Sequence, residues 1–110
     1  MSATHFSGPV VSSAGVQLGD GSVVSYIKKA AVSVDLPSIS AGAVSESTVT
    51  VSGAAAGDAV IANPPANLAA GLAVVGAYVS AANTVKLRVL NSTGAPIDEA
   101  AANWVFVLVR

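Results

Sequence analysis

The chain has 110 residues, 53% of them hydrophobic and only 10% charged, with a formal net charge of −1. A single domain is expected, carrying too little charge to coat an ordinary monomer. The few Lys and Arg are dispersed, which argues against a nucleic-acid surface, and the absence of Cys excludes a disulfide framework or a thiolate metal site.

Residues 1–29 read as an extended N-terminal arm. Gly8-Pro9, Gly15 and Gly19-Asp20-Gly21 interrupt short apolar pieces such as Val10-Val11 and Val23-Val24 before any period is established. Phe6, Val10, Val11, Val16 and Leu18 give the stretch more apolar anchors than a linker carries, so it is expected to order against a partner. Residues 1–13 lack the basic and apolar regions of a secretory signal.

From Ala30 onward, through the body 30–110, the period becomes 2, the mark of strands. Val32, Val34 and Leu36 alternate with smaller or polar residues until Pro37, which has no amide to donate to a ladder. Further strands are predicted over 48–51, 59–62 and 73–80. In the last of these Val75, Ala77 and Val79 are placed on one face and Val74, Gly76 and Tyr78 on the other. The turn Ala81-Ala82-Asn83 leads into 84–91, where Val85, Leu87 and Val89 face in while Lys86 and Arg88 face out. The apolar run 68–82 is cut by Asn67 and Asn83 and falls short of the ~20 residues a membrane span needs, so no membrane association is expected. Asp98 is expected to cap one helical turn over 98–102.

The closing strand, 103–110, is apolar on both faces. Six short strands spaced by Gly and Pro turns indicate an all-β fold, a small antiparallel β-sandwich or barrel-like body, and such a body has one interior. Trp104, Phe106 and Leu108 are therefore assigned to the core. Val105, Val107 and Val109 are left as a candidate subunit interface, or a seat for the chain's own arm.

No chemistry-bearing constellation emerges, and no enzyme and no cofactor are expected. The single histidine, His5, lies in the arm, so no second imidazole can complete a metal site. Asp35, Glu46, Asp58, Asp98 and Glu99 are explained by turns and caps more cheaply than by a catalytic pair. Residues 53–58 have the glycine spacing of a phosphate loop but neither its Lys nor its hydroxyl. Asn91-Ser92-Thr93 matches a glycosylation acceptor.

Several segments resemble a small virion domain of tailed bacteriophages: Val32-Ser33-Val34-Asp35-Leu36-Pro37-Ser38-Ile39, then Gly57-Asp58-Ala59-Val60-Ile61-Ala62-Asn63-Pro64-Pro65, and Ile97-Asp98 with Asn103-Trp104-Val105-Phe106. Thr4-His5-Phe6-Ser7-Gly8-Pro9 is similar to the start of phage head proteins. The chain most resembles capsid decoration proteins, also called cement or head-stabilising proteins. That resemblance implies a β-rich body, often a homotrimer, on the outer capsid surface of the virion, with the major capsid protein as partner and a terminal arm reaching across neighbouring capsomers. It places Phe6, Val10, Val11, Val16 and Leu18 as capsid contacts. The rival reading from the same kind of virion is a fibre or receptor-binding module using loops 66–71 and 92–102. A small hydrolase is the rival from another class, and it lacks clustered titratable groups.

Overall fold

A computed structural model describes residues 8–110 of the chain. Six strands appear in order: β1 (Ile27–Val34), β2 (Val44–Thr50), β3 (Ala59–Asn63), β4 (Leu72–Ala81), β5 (Thr84–Asn91) and β6 (Ala102–Val109). They form two antiparallel three-stranded sheets, β1-β6-β3 and β2-β5-β4, packed as a sandwich. The all-β expectation holds, and no helix occurs among the described residues. β1 opens at Ile27, three residues inside the stretch read as arm, and β2 opens four residues before the predicted 48–51.

Each sheet places in the middle the strand whose inward residues are most completely buried. β6 pairs with β1 on one side and β3 on the other, and β5 lies between β2 and β4. Their inward residues meet across the sandwich. Trp104, Phe106 and Leu108 from β6, and Val85, Leu87 and Val89 from β5, are at most 1% exposed. The Trp104 and Phe106 rings stack with centroids 6.5 Å apart. Central strands have neighbours on both edges as well as a facing sheet, so their alternate side chains are removed from water completely. At about 1.5–3 kcal/mol for each large apolar side chain fully buried, these six residues dominate the core.

Two expectations are corrected. In β4 the predicted faces hold only for its second half, because Val75 has no partner between Val74↔Val89 and Gly76↔Arg88. That β-bulge inserts one residue, so Leu72 and Val74 point inward before it and Ala77 and Val79 after it, while Val75 is 51% exposed. Residues 98–101 form no helical turn. Ile97 is held by reciprocal backbone bonds to Ile39 (2.8 and 3.0 Å), and Ala102 already pairs with Val34 in the sheet. The short span between those two anchors has no regular secondary structure, and Glu99 accepts a hydrogen bond from the Ala69 amide (2.8 Å).

Candidate functional site

The outer faces of the two sheets differ in kind. On β2-β5-β4, Glu46 pairs with Arg88 (2.7 Å), Lys86 donates to the Thr48 hydroxyl (2.6 Å), and the Arg88 guanidinium lies 5.1 Å from the centre of the Tyr78 ring. That face is polar over most of its area, with Val44 (54%) and Val75 (51%) as exposed apolar residues toward one end. The register of β1-β6-β3 puts Ile27, Lys29, Ala31 and Ser33 beside Val109, Val107, Val105 and Asn103, with Ala59, Ile61 and Asn63 on the other flank of β6. Ile27 is 67% and Ile61 60% exposed, and Val105, Val107 and Val109 are half-buried between them. This second face is apolar over the part around Ile27, Ile61, Val107 and Val109, with Ser33, Asn103 and Asn63 at its other end and Lys29 its only charged side chain among the described residues.

Before β1 the chain runs as an arm. Val16 and Val24 exchange two backbone hydrogen bonds, each 2.8 Å, closing a small hairpin whose tip is tightened by the Gly21 amide donating to the Leu18 carbonyl (3.0 Å). The hairpin closes only because Gly15 has φ +89° and no Cβ. An added Cβ would sit 2.6 Å from the Val24 carbonyl oxygen. Val10, Val11, Val16, Leu18 and Val23 are all at least half exposed, Val11 reaching 88% and Leu18 83%. Their curvature forms an apolar concavity of about 650 Å³, lined by residues of the arm and the start of β1. Phe6, the remaining predicted arm contact, lies outside the described residues, as does His5.

A clamp at the C-terminal residue joins arm and body. The backbone of Arg110 accepts from the Ser25 amide (2.7 Å) and the Tyr26 amide (3.1 Å) and donates to the Tyr26 carbonyl (3.0 Å). Its guanidinium grips both oxygens of Asp58 (2.8 and 3.1 Å), donates to the Gly53 carbonyl (2.7 Å), and lies 4.1 Å from the centre of the Tyr26 ring. The Ala55 amide, and after it the Arg110 guanidinium, hold the Asp58 carboxyl below the usual aspartate range against the desolvation of its burial. Gly53 completes the arrangement at φ +92°, where a Cβ would collide with the Tyr26 hydroxyl. None of these long-range partners is visible in local sequence; a Gly-Asp turn is the only hint.

The carboxylates weighed for catalysis are dispersed. Asp58 is bound to Arg110, Glu46 to Arg88 and Glu99 to the Ala69 amide. No group of three or more His, Asp or Glu side chains is gathered for a metal among the described residues. A cleft between body residues beside Leu68, Glu99 and Trp104 holds only about 60 Å³. Asn91 is fully buried; its amide nitrogen donates to the Ile39 and Ala95 carbonyls (2.9 and 2.8 Å), so the acceptor motif it begins is inaccessible.

What the geometry provides is two apolar surfaces, an exposed arm and an open sheet face, on a well-packed body. Compared with protein-family models, curated proteins and solved structures, the chain shows no match.

Proposed function

We propose that this protein is a structural virion component that binds the outside of a phage capsid and stabilises the shell by bridging neighbouring capsomers, acting without catalysis or cofactor. The observation that carries the reading is an arm whose apolar side chains are exposed, Val11 at 88% and Leu18 at 83%, beside a body whose core is complete without it. A body of this kind gives a rigid mount, and an arm of this kind needs a protein surface to cover it. Val10 and Val11, ahead of the hairpin, are the natural contacts with the major capsid protein. Each such side chain gains about 1.5–3 kcal/mol on full burial, and many copies on one shell, as homotrimers in the plan that the resemblance implies, make weak contacts collective.

In the loops of the fibre alternative Ser92 and Thr93 spend their polar groups within the protein, which leaves fewer for a ligand. The Ser92 amide and hydroxyl both bond the Gly71 carbonyl (2.9 Å each), and Thr93 donates through its amide and hydroxyl to Asn91 (2.9 and 2.7 Å). Co-sedimentation tests the reading. The full chain is expected to pellet with expanded capsid shells, and Val11→Asp is expected to reduce the bound fraction several-fold. Failure to bind shells, together with binding to intact host cells, transfers the assignment to a receptor-binding module.

A further inference from the structure

We infer that the open face of the β1-β6-β3 sheet is covered by the arm hairpin of a second copy of this chain, with Asp20 of one copy meeting Lys29 of the other. Three observations select this occupant. Lys29 stands on the edge strand β1, directly across from Val107 of the central strand, which is in turn paired with Ile61. It forms no ion pair among the described residues. Stacking two such faces on each other would press two Lys29 ammonium groups into one apolar contact, an arrangement that like-charge repulsion opposes. The covering surface must therefore be apolar and carry a carboxylate.

The hairpin has that composition. Between residues 8 and 26 the only charged side chain is Asp20, placed at the hairpin tip and without an ion-pair partner among the described residues. Val16, Leu18 and Val23 around it are 54%, 83% and 53% exposed. Area leads to the same division of labour. Strands ~4.8 Å apart, of eight, eight and five residues at ~3.3 Å each, present roughly 330 Å², less than half of the ~800 Å² per partner that a stable interface uses. The arm has to supply the remainder, and the chain's own arm projects instead of covering this face: the molecule measures 60 × 29 × 25 Å.

Hairpin and face are different surfaces, so the contact terminates either as a reciprocal twofold pair or, repeated head to tail, as a closed ring. It goes beyond shell binding and does not require a shell. Light scattering across a concentration series on purified protein tests it. The natural chain is expected to form a closed oligomer. Asp20→Lys and Lys29→Asp, both at exposed positions, are each expected to weaken association about tenfold or more, and the double variant is expected to regain most of it. A second measurement exploits the absence of native Cys: a mixture of an Asp20→Cys chain and a differently tagged Lys29→Cys chain should cross-link to each other on oxidation. A monomeric natural chain, an oligomer indifferent to both reversals, a double variant no better than the singles, or cross-links only between identical chains would each overturn the inference.

Discussion

Asn91 illustrates how a residue's surroundings reverse its local meaning. Its side chain is fully buried, donates to the Ile39 and Ala95 carbonyls and accepts from the Thr93 amide and hydroxyl, so every polar group of the amide is used. Asn91→Ala leaves those partners unsatisfied at the end of β5 and is expected to cost about 2–3 kcal/mol in denaturant unfolding. Asp58 carries a different signal, through pH. Its folded carboxyl titrates below the ordinary value of 3.8 because the Ala55 amide and then Arg110 stabilise the anion. A depressed folded pKa means the contribution is fully present above the unfolded value and is lost as pH falls through the folded one. Thermal unfolding from about pH 5 downward should therefore show the natural chain losing stability more steeply than Asp58→Asn, which has no proton to take up at that position. Equal slopes for the two would show that the clamp contributes no proton linkage.

Among the elements, β5 was legible residue by residue because it is half-buried. Val85, Leu87 and Val89 are sealed while Arg88 is exposed, so period 2 translates directly into faces. β6 was equally legible in its inward residues, and its apolar outer set follows from its central place between β1 and β3. β4 was half legible. Strict alternation cannot anticipate an inserted residue, and the bulge at Val75 turns the strand's first part over. The stretch 98–101 was misread for another reason. A capping residue favours a helical turn locally, but the pairing of Ile97 with Ile39 and of Ala102 with Val34 fixes both ends of the segment through contacts some sixty residues away in sequence. The arm hairpin was invisible because one backbone bridge, Val16↔Val24, defines it, and no period accompanies a single bridge. The Arg110 clamp was invisible for the same physical reason: its partners Asp58, Gly53 and Tyr26 are joined by tertiary structure alone.

At the scale of the whole molecule, the radius of gyration is 17.5 Å, against about 13 Å for a compact chain of this length. The excess belongs to the arm. Among the described residues every buried apolar side chain lies at Val34 or later, and of those before β1 only Tyr26 packs against the core. The tether between the two parts is the Ser25 and Tyr26 backbone, bonded to Arg110. Removing residues 1–24 keeps that tether and both sheets while deleting the hairpin and the exposed Val10 and Val11. The shortened chain is expected to unfold cooperatively within a few degrees of the full chain, since no residue of the buried core is lost. In solution scattering it should behave as a monomer with a radius of gyration of about 12 Å, and it should no longer bind expanded shells. A melted body would show that the arm is part of the fold. A truncated protein that still associates would place self-association elsewhere on the body, with the polar β2-β5-β4 face or the sheet edges as the remaining surfaces.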